Sequence, residues 1–128
     1  MEPILSPETA RPIYVVEDDD AVRASAKLLL EAVGYVVRDY ASAEALLADP
    51  AAPDAACLLL DFQLGGITGL DLLERLRARG VQTPAIILTA NANHLDERYQ
   101  RAKVLTVLRK PAPTAHLLAW IEKACSQP

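Results

Sequence analysis

Apolar positions along the chain gather into five short runs, at residues 13–16, 35–40, 56–60, 85–88 and 104–108. Four of the five are near-continuously apolar, as strands buried on both faces are. The second is interrupted by Arg38 and Asp39 and reads as an edge strand. Helical periodicity fills the gaps. Val22, Ala26, Leu29 and Val33 fall on one helical face, with Arg23, Lys27 and Glu31 opposite. Gly34 stands where a helix C-terminus favours glycine. Ser42 is placed to cap a short second helix that ends before Pro50. Thr68 and Asp71 form a capping pair for a third, which carries Leu73 and Leu76 and stops at Gly80. A more charged helix is expected over 93–102. Thr114 is expected to cap the last helix, with Leu118, Ile121 and Cys125 on its inner face.

Five alternations of strand and helix with short loops predict a parallel sheet covered by helices on both sides. Right-handed crossovers leave few topologies. Five strands in one domain favour a three-layer α/β (βα)5 fold with the flavodoxin-like strand order 2-1-3-4-5. Residues 1–11, with Pro3 and Pro7 and no periodicity, read as a flexible leader; 12–126 form the domain, and 127–128 a terminal tail.

Composition narrows the function more than the fold. The 128 residues suit one domain with its own core. A net charge of −4 lacks the basic footprint of nucleic-acid binding, so the domain is expected to bind none. The longest apolar runs, about six residues, fall short of the roughly 20 needed to span a membrane. Met1-Glu2-Pro3 begins no secretory signal. Two cysteines make no disulfide framework, and Cys57, inside a strand, reads as a small core residue. A reducing, cytoplasmic location follows.

Chemistry concentrates at the strand ends. Ligands of open parallel sheets bind beyond the C-terminal ends of the strands, near the switch in strand order. Glu17-Asp18-Asp19-Asp20 follow the first strand, Asp61 the third, Thr89 the fourth and Lys110-Pro111 the fifth. In the order 2-1-3-4-5, the acidic run and Asp61 face each other. Two carboxylates about 4 Å apart repel by roughly 4 kcal/mol at an effective dielectric near 20. A hard divalent cation relieves that repulsion, and oxygen ligands with room for waters suit Mg2+. A lysine and a hydroxyl opposite the acids are suited to the oxygens of a phosphoryl group.

Val16-Glu17-Asp18-Asp19, Leu60-Asp61, Leu88-Thr89-Ala90 and Arg109-Lys110-Pro111 together resemble the receiver domain of bacterial two-component response regulators, over about residues 12–126. The spacing fits as well: Asp61 follows Asp18 by 43 residues, Thr89 follows Asp61 by 28, and Lys110 follows Thr89 by 21. The resemblance implies that Asp61 accepts the phosphoryl group. It implies that Asp18 binds Mg2+ directly, Glu17 through water, and Gln63 by its backbone carbonyl. Thr89 is then the switch hydroxyl and Lys110 the phosphoryl-binding lysine, with Pro111 in a cis peptide. The implied donor is a histidine kinase or phosphotransfer protein. The implied output is a switched protein-interaction surface on a monomer or weak dimer, with no catalysis beyond self-phosphorylation and dephosphorylation.

The chain departs from the family pattern where Gly65 replaces a frequent proline, Val107 an aromatic switch partner, Ala112 an aromatic, and Ala102-Lys103 a Gly-Ala pair. Val107 carries no ring to swing, so the response to phosphorylation is expected at residues 62–68 and 89–96, where Gly65, Gly66, Asn91 and Asn93 tolerate unusual turns. His94 and His116 lack ligand-spaced partners, and Trp120 and Cys125 read as helix packing. The residues admit three alternatives. One is a receiver piece of a longer DNA-binding regulator. Another is a dehalogenase-like phosphohydrolase, on the Asp-x-Asp-x-Val pattern of Asp18 to Val22. The last is a flavin carrier, whose phosphate the acids at 17–20 would repel.

Overall fold

A computed structural model describes residues 11–50, 54–91 and 97–126. Its elements are β1 (Ile13–Val16), α1 (Asp20–Ala32), β2 (Val37–Tyr40), α2 (Ala43–Leu47), β3 (Cys57–Asp61), α3 (Gly69–Ala78), β4 (Ala85–Thr89), α4 (Glu97–Arg101), β5 (Thr106–Arg109) and α5 (Thr114–Cys125). The strands are parallel and lie in the order β2-β1-β3-β4-β5, as expected. Among the described residues, no helix is long and apolar enough to cross a membrane. The leader, the tail, His94 and Asn93 fall outside the described residues, apart from Arg11.

Strand alternation feeds two cores. Tyr14, Val16, Leu58, Leu60, Ala85 and Ile87 face Ala43 and Leu46 of α2 and Leu70, Leu72, Leu73 and Leu76 of α3. Ile13, Val15, Cys57, Leu59, Ile86 and Leu108 face Leu30 of α1 and Leu117, Ile121 and Ala124 of α5. Register sets the functional rim. Val16 pairs with Leu60, Asp61 with Leu88 and Thr89 with Arg109, so Glu17, Asp61, Thr89 and Lys110 leave the sheet side by side.

Several local expectations are corrected. In α1, Val22 and Val33 are 45% and 52% exposed, while Leu30 is buried. Arg23, expected on the outer face, turns inward instead and donates to Glu17 O at 2.9 Å and Asp39 Oδ2 at 3.3 Å. In α5 the buried residues are Leu117, Ile121 and Ala124, with Leu118 and Cys125 at the flank. Thr114 does not cap that helix. Pro113 holds the N-cap position, its carbonyl accepts from Leu117 N–H, and Thr114 is the first helical residue. β5, at the sheet edge, is only half-buried rather than enclosed on both faces.

The first residues of the second and fifth apolar runs close helices instead of joining β2 and β5. Tyr35 N–H donates to Leu30 O and Val104 N–H to Tyr99 O, closing α1 and α4. An amide spent on a helix end cannot join the sheet. The positive-φ residue this closure requires is Gly34 after α1, at 102°, but Lys103 after α4, at 57°.

Candidate functional site

The acid side is built by β1 and β3. Carboxylate oxygens of Glu17, Asp18 and Asp61 lie within 4.8 Å of one another, with Glu17 and Asp61 buried and Asp18 exposed. Lys110 bridges the two buried acids, its Nζ 3.0 Å from Glu17 Oε1 and 2.8 Å from Asp61 Oδ1. Asp19 N–H donates to the other Glu17 oxygen at 3.3 Å. Partial burial works to lower the Lys110 pKa, but the hydrogen bonds and charges of Asp61 and Glu17 outweigh it and hold the pKa above that of an ordinary lysine. Three carboxylates and one ammonium leave a formal charge of −2, which one divalent cation balances. All the donors are hard oxygens, and the exposed Asp18 leaves the site open to solvent. The set fits Mg2+ better than a softer metal.

Glycines hold Asp61 in place. A Cβ on Gly69 would sit 2.4 Å from the carbonyl oxygen of Asp61, so α3 reaches this close to β3 only because residue 69 has no side chain. Gly69 N–H donates to Phe62 O at 2.9 Å, folding the intervening loop back on the strand. Gly65 has φ 79°, and a Cβ there would stand 3.4 Å from Asp18 Oδ2. Proline, fixed near −65°, cannot adopt that conformation, so the glycine here marks a different loop path from one with proline. Gln63 lies in this loop with its side chain exposed. Thr68 and Asp71 cap α3 reciprocally, at 2.9 and 3.0 Å, as their spacing predicts.

On the other side of Asp61, Thr89 is 6% exposed and its hydroxyl is engaged with Asn91. Oγ1 accepts from Asn91 N–H at 3.2 Å and donates to Asn91 O at 3.3 Å. A cavity of about 340 Å3 opens beside it, lined by Phe62, Leu70, Thr89, Asn91, Arg98 and Tyr99 among others. Val107 is half-buried against the α2–α3 core. The Lys110–Pro111 peptide is cis. His116, exposed, accepts from Trp120 Nε1 at 3.3 Å, and Lys123 Nζ stands 5.1 Å over the Trp120 ring. Burial pushes the thiols of Cys57 and Cys125 up.

The structure thus brings Glu17, Asp18, Asp61 and Lys110 together and leaves Thr89 turned toward Asn91. Asp19 caps α1 by accepting from Val22 N–H at 3.0 Å. Asp20, the second acid of the dehalogenase-like pattern, is 88% exposed and paired with Arg23, outside the acid group. Sequence reasoning missed Gly69, Arg23 and Arg98. Gly69 sits directly after the capping threonine, a position from which close approach to β3 is not evident without the fold.

The comparisons agree with this geometry. Residues 13–122 match the response regulator receiver domain family. The chain is 36% identical over 111 residues to the transcriptional regulatory protein FixJ of Azorhizobium caulinodans, covering 86% of this chain and 53% of that protein. It is 31% identical over 109 residues to the C4-dicarboxylate transport transcriptional regulatory protein DctR of Rhodobacter capsulatus, covering 83% and 55%. The chain therefore spans about half the length of these curated relatives. Among solved structures, a CheY-like receiver domain protein of Methanospirillum hungatei superimposes with a TM-score of 0.81 at 28% identity, over 90% of this chain and 93% of that one. The response regulator protein TrrA of Thermotoga maritima, in complex with Mg2+ and BeF, gives 0.79 at 23% identity, over 89% and 98%, a likeness of fold. The acid group, the lysine beside it, the strand order and the match over residues 13–122 lead to one assignment: the chain belongs to the response regulator receiver domain family.

Proposed function

We propose that Asp61 is the phospho-acceptor and that Glu17, Asp18 and Asp61 hold Mg2+, with the Gln63 carbonyl as a further ligand. The observation that carries the reading is the bridge from Lys110 to both buried acids, 2.8 Å from Asp61 and 3.0 Å from Glu17. A lysine so held leaves the acid group open on the Asp18 side and places a cation where phosphoryl oxygens arrive. The donor is a phosphohistidine on a kinase or phosphotransfer protein. An Asp61 carboxylate oxygen attacks phosphorus as the donor's P–N bond breaks, and the bonding pair returns to the imidazole nitrogen. Bound Mg2+ supplies neutralisation of charge on the transferring group. Lys110 follows the incoming oxygens, loosening its contact with Asp61. Thr89 exchanges its bonds to Asn91 for one to the phosphoryl group. Water later attacks phosphorus and releases inorganic phosphate, so turnover is limited to the domain's own modification.

The curated relatives carry names of transcriptional regulators and are about twice as long, which supports a receiver that governs an output elsewhere in a longer protein. The proposed location is the cytoplasm. Incubation with acetyl phosphate and Mg2+ tests the reading by intact mass. Wild type gains one phosphoryl group and Asp61→Asn gains none; equal labelling of the variant refutes it.

A further inference from the structure

α4 is lightly held. Its described part is five residues long and none of them is buried. Tyr99 packs only partly against the core, beside the 340 Å3 cavity that separates α4 from Thr89. Against this weak apolar contact stands a compact charged one. Arg98 Nη2 donates to Asp71 Oδ1 and to Glu74 Oε1, both at 2.7 Å, and Arg98 Nε donates to Glu74 Oε2 at 3.1 Å. Two side chains of α3 thus grip one guanidinium of α4 through a planar fork.

The grip runs on toward the phospho-acceptor. Asp71 Oδ2 accepts from Thr68 N–H, and Thr68 Oγ1 accepts from Asp71 N–H. The next residue, Gly69, is pressed against the carbonyl of Asp61. One connected set of contacts therefore joins Asp61 to α4 by way of the α3 cap. Separately, the Thr89 hydroxyl holds Asn91, accepting from its N–H and donating to its carbonyl. Drawing that hydroxyl toward a phosphoryl group gives up both Asn91 bonds. The cavity then offers the Tyr99 side of α4 room to move, while the fork on Asp71 and Glu74 resists the movement.

We propose that Arg98, Asp71 and Glu74 form a latch between α3 and α4 that favours the unphosphorylated position of α4, so that modification of Asp61 works against it. The proposal rests on the phospho-acceptor reading of Asp61 and adds the element through which that reading reaches the surface. By linkage, a contact that favours one state lowers affinity for any ligand of the other. Weakening the latch must therefore tighten binding of a phosphoryl mimic. A partly exposed ion pair is worth up to about fivefold in an equilibrium constant.

The test is the affinity for beryllofluoride with saturating Mg2+, read by NMR titration on wild type, Arg98→Gln and Glu74→Gln. Glu74 lies outside the capping pair, so its variant leaves the start of α3 intact. Arg98→Gln is expected to bind roughly threefold to fivefold more tightly, and Glu74→Gln to move the same way by less. The resonances of α4 in mimic-free Arg98→Gln should already be displaced toward their mimic-bound positions. Unchanged or weakened affinity in both variants, with wild type binding normally, overturns the latch alone. Failure of wild type to bind the mimic overturns the phospho-acceptor reading as well.

Discussion

Glu17 and Asp61, each with a side chain 6% exposed, stand side by side through the pairing of β1 with β3, and Lys110 reaches both. The pairing is insensitive to neutral pH. The lysine pKa is raised in the fold, so its contribution is fully present below the ordinary value near 10.5 and is lost only as pH climbs through the raised one. Asp18, exposed and outside that bridge, is the acid freest to bind metal. Asp18→Ala is expected to lose most Mg2+ affinity by calorimetry and Glu17→Gln less, since water can bridge the second position. An unaltered Asp18→Ala would refute the ligand set. Gly69 is the tightest of the described glycines. A Cβ 2.4 Å from a backbone oxygen forces α3 or β3 to shift. Gly69→Ala should lower unfolding stability by roughly 1–3 kcal/mol in urea titrations. It should also slow labelling of Asp61 by acetyl phosphate. Near-wild-type values for both would show that the approach is slack.

At helix ends, residue type makes some features legible and leaves others hidden. Ser42 and the Thr68–Asp71 pair announce their caps by residue type, and both form the expected bonds. Thr114 looks like a cap and is not one, because Pro113 already fixes the entry of α5. The end of α4, expected at residue 102 and found at Arg101, carries no glycine signal, because Lys103 occupies a position at φ 57° that glycine adopts without strain. Lys103→Gly is therefore expected to raise stability by roughly 0.5–1 kcal/mol, the left-handed strain relieved minus the added freedom of the unfolded chain. The same urea titration checks it, and a loss would mean that the lysine side chain contributes elsewhere. At the other end of α3, the Thr68 backbone N–H, with Arg98, holds the Asp71 carboxyl below the usual carboxylate range. Its contribution is present above the ordinary value of 3.8 and is lost as pH falls through the lowered one. Thermal melts between pH 5 and pH 2 should thus fall less steeply for Asp71→Asn than for wild type. Parallel slopes would contradict the assignment.

Across the molecule, strand order was readable because apolar runs and right-handed crossovers leave little choice, and the order alone sets the acids of β1 against Asp61. Tilt and rotation of the helices were not readable. The inward turn of Arg23 depends on Asp39 and on the Glu17 carbonyl, contacts 16 and 6 residues away in sequence. The state of Thr89 was equally hidden, since its bonds to Asn91 are local and carry no sequence mark. Val107 is half-buried and has no ring to swing, so β5 is expected to transmit less. With beryllofluoride and Mg2+, backbone shifts should concentrate at residues 62–68, 89–91 and α4, with smaller ones at Val107 and Ala112; dominance of β5 and α5 would show that the ring is dispensable. All of this depends on which carboxyl carries the phosphoryl group. Borohydride reduction of the phosphorylated protein, followed by peptide mapping, converts the modified aspartate to homoserine and identifies it. The expected result is homoserine at position 61 and at no other acid. Homoserine at position 18, or none after phosphorylation has been verified by mass, would contradict the assignment.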